Sequence, residues 1–423
     1  MEVIAQHGAT LLIIAIAFGC FMTWSIGAND AANAMGASVG SKAITVTQAV
    51  CIAAVFEFAG AFLAGGHVTK TIRKGIIDPQ QILGQPEILV YGMLASLLAA
   101  AAWLLAASAR GWPVSTTHSI IGAIVGFGVA GIDYSAVNWG KINTIVASWV
   151  VSPMVGGMLA FLLMISIRRL ILNTPRPIEK AKQWAPLYVF LVGFVVTLVT
   201  VFKGLKHLKV DLSVPQSFAI AFAVGVLVAF IGRLLIARVR VAPSGGDDMS
   251  ADFAAVEKVF TPMLLFTASA MAFAHGSNDV ANGIGPLAAV FSIVESGGEM
   301  TQTAALPLWI LFLGGGGIVL GLATLGYRVI RTIGTKITML TPTMGFCVEL
   351  AAAATVVLAS RTGLPVSTTQ IVVGGVIGVG LARGIGAIDL RVVGGVFASW
   401  LVTLPVCGVL SALFFFTLKG MFG

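Results

Sequence analysis

Gly27-Ala28-Asn29-Asp30-Ala31-Ala32-Asn33 and Gly276-Ser277-Asn278-Asp279-Val280-Ala281-Asn282 are two copies of one heptapeptide, 249 positions apart, each set in a nearly apolar stretch of membrane length. A carboxylate at membrane depth is costly and is kept there mainly to bind or move something. Two such carboxylates in one chain predict a duplicated transport unit with a polar centre. The glycines predict a break in each helix, with the Asn and Asp side chains satisfying the backbone groups that the break would free. Backbone of that kind is tolerated at membrane depth only where it is buried or lines a wet cavity.

The rest of the chain fits a bilayer. Of 423 residues, 58% are hydrophobic and only 10% are charged, against about 25% charged in soluble domains. Fifty glycines suit close helix packing in lipid. The net charge of +8 is read as loop residues that orient the protein, not as a nucleic-acid surface. Cys20, Cys51, Cys347 and Cys407 all lie in apolar segments without a CxxC pair, so they read as small buried hydrophobes. The five histidines show no ligand spacing. No cationic leader precedes residues 9–26, which read as a retained first span.

Twelve apolar segments follow one another: roughly 9–26, 43–66, 88–109, 113–132, 142–167, 185–202, 212–232, 259–276, 301–325, 338–360, 365–382 and 392–418. The fold class expected is all-α and integral to the membrane. The cationic loops 168–183 and 233–258 lie two spans apart and so share a side, which the positive-inside bias makes cytoplasmic. Both termini then face outward. Lys70, Arg73 and Lys74 dissent from this orientation, as do Lys203, Lys206 and Lys209.

The repeat extends beyond Asn-Asp. Pro113-Val114-Ser115-Thr116-Thr117 recurs as Pro365-Val366-Ser367-Thr368-Thr369, Gly122 and Gly126 as Gly374 and Gly378, and Ala147-Ser148-Trp149 as Ala398-Ser399-Trp400. A five-span unit at 1–168 is thus copied at 259–423, with a two-helix insert at 169–258. An odd number of spans per copy, joined by an even number, inverts one copy relative to the other. Inverted repeats place a binding site near the midplane between them.

Asp30 and Asp279 offer hard oxygen ligands for Na⁺ or a place for a proton. Asn29, Asn33, Asn278 and Asn282 add donors and acceptors beside them. In Pro-Val-Ser-Thr-Thr, proline is expected to open a helix, which puts the hydroxyls of Ser115, Thr116, Thr117, Ser367, Thr368 and Thr369 beside unpaired N–H groups, an anion site. Glu57 and Glu349 are the only charged side chains inside the spans and are candidates for the cation. They are not repeat-equivalent, because Leu97 stands where Glu349 would fall. His118 and Gln370 follow the two hydroxyl runs and read as plain hydrogen-bonding groups. The run Gly314–Gly317 lacks a Walker lysine and reads as a packing surface.

At these residues the chain resembles the inorganic phosphate transporter (PiT) family. Residues 27–34 match its Gly-Ala-Asn-Asp-x-Ala-Asn-Ala motif, and the second copy departs only at Ser277 and Gly283. The resemblance spans essentially the whole chain, and the short linker resembles bacterial members. It implies a multi-pass protein of the bacterial inner membrane that imports inorganic phosphate by alternating access in symport with Na⁺ or H⁺. It also leaves open that phosphate travels as a metal complex, that sulfate is the cargo, and that two copies form a homodimer. No enzyme cofactor is expected: neither an activating base nor a metal cluster accompanies Asp30 and Ser115. The phosphate would rest on the six hydroxyls with Asp30 and Asp279. The cation would rest on Asn29, Asp30, Asn33, Asn278, Asp279 and Asn282, with Glu57 and Glu349. Na⁺ would sit at Asp30, Asn29, Asp279 and Asn278.

Overall fold

A computed structural model describes residues 2–66, 69, 75–77, 85–201, 212–238, 249–298, 306–330, 339–361 and 365–423. The dissenting lysines and arginines at 70–74 and 203–209, Arg240 and the Pro-Ser-Gly-Gly-Asp-Asp linker at 243–248 lie outside those residues. Twelve α-helices occur among the described residues: α1 (Glu2–Gly40), α2 (Val46–Ala64), α3 (Pro86–Ala109), α4 (Thr116–Gly131), α5 (Trp139–Ile167), α6 (Pro177–Val199), α7 (Val214–Arg238), α8 (Met249–Glu295), α9 (Leu308–Thr324), α10 (Pro342–Arg361), α11 (Thr368–Arg383) and α12 (Leu390–Phe422). Each apolar segment became one helix. Nine are long and apolar enough to cross a membrane, and α4, α9 and α11 are shorter. Sixteen residues, as in α4 and α11, rise only about 24 Å, less than a hydrocarbon core of about 30 Å.

The expected breaks at Asn-Asp are not present. α1 runs unbroken for 39 residues and α8 for 47, straight through the two motifs. The glycines serve contact instead. A Cβ on Gly27 would lie 1.9 Å from the Ile318 carbonyl oxygen of α9, and one on Gly276 would lie 2.2 Å from the Glu57 carbonyl oxygen of α2. Alanines at 28, 31, 32 and 34 favour continued helix. The Asn and Asp side chains bond to other helices, so no freed backbone is required.

Lipid gives no hydrophobic push between helices, so small residues and close backbones do the packing. α1 packs on α9 and α8 on α2; α4 packs on α12 and α11 on α5. The repeated glycines mark these seams: Gly122 and Gly126 abut Leu404 and Gly408, while Gly374 and Gly378 abut Pro153 and Gly157. Within the four-glycine run, Gly317 faces Thr23, which bears out its reading as a packing surface. α1 and α8 run antiparallel, since Gly8 lies against Val294, Gly19 against Leu287 and Thr23 against Gly283. One apolar cluster joins the end of α1 to the start of α8, and a second joins the start of α1 to the end of α8. The polar motifs form a waist between the two clusters.

Candidate functional site

The waist is assembled from four helices. α1 and α8 bring the carboxylates and amides; α4 and α11 bring their N-termini. Ser115 and Ser367 are the N-caps, accepting from the His118 and Gln370 N–H groups at 3.1 and 3.3 Å. Pro113 and Pro365 therefore sit two residues ahead of the caps, in the segment before each helix and not at its first position. The threonines occupy the first turn, ahead of the first helical hydrogen bond, from Ser119 N–H to the Ser115 carbonyl.

The hydrogen bonds repeat with pseudo-twofold regularity. Thr116 donates to Asp30 Oδ2 at 2.8 Å, and Thr368 to Asp279 Oδ2 at 2.7 Å. Asn33 donates across to Thr368 and Thr369 at 3.3 and 2.9 Å, and Asn282 to Thr116 and Thr117 at 3.3 and 3.2 Å. Thr117 donates to the Val366 carbonyl and Thr369 to the Val114 carbonyl. Each aspartate is thus bound by a threonine of its own copy, Asp30 also by Thr369 of the other at 3.3 Å, and each second asparagine by threonines of the other. The two helix N-termini consequently face one another, with their positive dipole ends converging on one spot. All of these side chains are at most 2% exposed, so water does not screen them.

His275 and Glu57 break the symmetry. His275 places Nε2 2.9 Å from Asp279 Oδ2 and 3.8 Å from Asp30 Oδ2, and Nδ1 3.2 Å from Glu57 Oε1. The position equivalent to His275 is Ile26. The absence of histidine ligand spacing expected from the sequence is therefore corrected. His275 stands four residues before Asp279, one helical turn along the same face, and Asp30, His275 and Asp279 could together hold a metal ion. Glu57 joins this cluster through His275. Its equivalent is Ile318, since Glu57 abuts Gly276 as Ile318 abuts Gly27.

The two asparagines ahead of the aspartates each reach the segment before the hydroxyl helix of their own copy, Asn29 at Val114 and Asn278 at Val366. Asn29 donates to Ser108 and to the Trp112 carbonyl at 3.0 Å each and accepts from Val114 N–H at 3.2 Å. Its amide is spent on holding residues 112–114 to α1. Asn278 donates to Asp279 Oδ1 at 2.8 Å and to the Val366 carbonyl at 3.1 Å. Asn29→Ala is expected to destabilise the protein by about 1–3 kcal/mol, the cost of stranding buried polar groups, read as a lower thermal midpoint in detergent. An unchanged midpoint would remove the anchoring role.

Glu349 is not brought to the cluster. It is fully buried on α10, and neither carboxylate oxygen has a hydrogen-bond partner. Asn33 Oδ1 and Asn282 Oδ1 are also buried without partners, and these two lie beside the aspartates. No Lys or Arg pairs with the cluster among the described residues.

Residues 26–411 match the model of the PHO4 phosphate transporter family. The chain belongs to that family. A candidate phosphate permease of Haemophilus influenzae is 48% identical over the full length of both chains. The inorganic phosphate transporter 2-1, chloroplastic, of Arabidopsis thaliana is 42% identical over 96% of this chain and 71% of its own. The solved structure of a sodium-dependent phosphate transporter is 40% identical, with a TM-score of 0.87 covering 97% of this chain and 99% of the other. Family membership with nine membrane-length helices makes this a multi-pass membrane protein. The sulfate alternative gains no support, since the family and these relatives are described by phosphate.

Proposed function

We propose that the chain is a secondary transporter that carries inorganic phosphate inward across the bacterial inner membrane together with a cation, Na⁺ or H⁺. The observation that carries this reading is electrostatic. Asp30, Asp279 and Glu57 surround one imidazole, all at most 1% exposed, directly beside two facing helix N-termini. Burying uncompensated charge costs several kcal/mol per ion. Carboxylates alone would repel a phosphate, and helix ends alone would not discharge the carboxylates. A cation on Asp30 and Asp279 resolves both, and the anion then meets the cation, the threonine hydroxyls and the first-turn N–H groups. The partnerless oxygens of Asn33 and Asn282 are hard ligands of the kind Na⁺ takes. Phosphate at neutral pH still has a proton to donate to an acceptor-only carboxylate, which sulfate lacks.

One observation favours the metal–phosphate form of the cargo. His275 supplies a ring nitrogen between two carboxylates, and imidazole suits transition metals better than it suits Na⁺. Alternation by the two copies as inverted repeats, 1–168 and 259–423, is supported by the antiparallel course of α1 and α8. The bonds that cross between copies would be exchanged as access alternates.

The experiment is radiolabelled phosphate uptake into proteoliposomes, with Na⁺ and pH gradients imposed separately and sulfate as competitor. Saturable uptake driven by one gradient and resistant to sulfate is expected. Uptake that needs no gradient and does not saturate would make the protein a channel. Turnover of a phosphate ester by the purified protein would revive an enzyme. The cation is expected to bind first, so Na⁺, or a divalent metal, raises the thermal midpoint without phosphate. Phosphate is expected to raise it only when that cation is present.

A further inference from the structure

A second site lies away from the waist. The helices α6 and α7 pack antiparallel, with Gly193 against Gly225 and Val228, and Gly232 against Val189. α6 also packs on α8. Between these three helices lies a cavity of about 500 Å³ with walls of Val192, Val224, Val228, Met263 and Phe266. That volume is in the range of sites that enclose a small ligand. The walls are almost wholly apolar, and the Thr197 hydroxyl has already given its proton to the Gly193 carbonyl at 2.7 Å, leaving no wall donor for an anion. One cation, Lys258, completes the lining.

The position of Lys258 is informative. Successive spans alternate in direction, so α8 runs parallel to α6; Phe260 of α8 packs against Tyr188, midway along α6, and Lys258, two residues earlier, lies on the side of that contact nearer the start of α6. That end carries Arg176, Lys180 and Lys182. Those cations are committed: Arg176 pairs with Glu179 at 3.4 Å, Lys180 bonds Gln183 at 2.9 Å, and Lys182 also has a partner. The neighbouring acid, Glu257, is turned to α10, where it accepts from the Thr343 N–H and hydroxyl. Lys258 is exposed and has no ion-pair partner among the described residues.

We infer that this cleft is a binding site for an anionic phospholipid, with an acyl chain between α6, α7 and α8 and the phosphate head group on Lys258. An apolar slot closed by an uncommitted ammonium matches an amphiphile with an apolar body and a negative head. Basic pockets between membrane helices on the positive side of a protein take such lipids. The occupant would brace α8 near Pro262, within the helix that carries His275 and Asp279, and would tie the α6–α7 hairpin to the transport waist.

The test uses full-length protein in nanodiscs of pure phosphatidylcholine or with one-third phosphatidylglycerol, read by native mass spectrometry and thermal midpoint. The wild-type protein is expected to retain phosphatidylglycerol and to melt at least 5 °C higher with it. Lys258→Glu should halve that increment and lose the retained lipid, while Lys258→Arg keeps both. Val228→Trp, which fills the slot, should lose retention with Lys258 intact. Equal midpoints in the two lipids, or full retention by Lys258→Glu, would overturn the site. A midpoint gain from soluble glycerol phosphate, which has no acyl chain, that Lys258→Glu abolishes would overturn the lipid as occupant.

Discussion

Asp30→Asn and Asp279→Asn each lower phosphate uptake in proteoliposomes by at least tenfold while leaving the fold intact. The substitution keeps shape and volume, and the amide oxygen still accepts the threonine hydroxyl that now donates at 2.8 or 2.7 Å. What is lost is one negative charge at the point where the proposed cation would sit. Tenfold corresponds to about 1.4 kcal/mol, less than the cost of removing one partner from a buried charge pair, about 3–5 kcal/mol, so tenfold is a floor. The two aspartates meet at one imidazole, so their effects should not add. The double variant should be little worse than either single one. The cation-dependent rise in thermal midpoint should disappear with the uptake. Near-normal transport by both single variants would remove the carboxylates from the mechanism.

The parts of this site that were legible in the sequence are those that local chemistry dictates. The all-helical class and the position of a helix at each apolar segment followed from hydropathy. The Pro-Val-Ser-Thr-Thr runs read as helix starts, but with Pro113 and Pro365 at the opening position; the structure makes Ser115 and Ser367 the caps, with the threonines in the first turn. The repeat offset of 249–252 located both halves of the hydroxyl and acid set. What the sequence left unread depends on partners distant along the chain. Asn29 and Asn278 reach across to residues some 85 positions further along the chain, Val114 and Val366, contacts that the motif itself does not specify. Glu57 has a structural counterpart at Ile318, an offset of 261, which the Asn-Asp alignment does not reach because the connections preceding α2 and α9 differ in length. His275 had a readable signal, its one-turn spacing from Asp279. It was masked because the first copy has Ile26 at that place, and reading by repeat favours what the copies share.

Gly27 and Gly276 were the sharpest misreading, and they give the second large expected effect. A glycine inside a membrane helix fits two accounts. In one it frees the backbone to break, and in the other it lets a second backbone approach. The accounts predict opposite results for Gly→Ala. A breaker replaced by alanine gains helix propensity of about 1 kcal/mol, so stability would hold or rise even as transport failed. A contact glycine replaced by alanine drives a methyl to within 1.9 Å of the Ile318 carbonyl, or 2.2 Å of the Glu57 carbonyl. Backbone atoms have no alternative rotamer, so a helix must move. Overpacking of this kind costs about 1–3 kcal/mol, and the geometry here places both sites at the upper end. Gly27→Ala and Gly276→Ala should therefore melt well below the wild type in detergent. Gly316→Ala, with nothing within 4 Å of the added carbon, should not. Gly276→Ala should also lose transport disproportionately, because the backbone it displaces is that of Glu57, which faces His275 at 3.2 Å. Gly27→Ala pushes on Ile318, which carries no charge to the site. Equal transport loss per degree of midpoint in the two variants would separate Glu57 from the cation cluster.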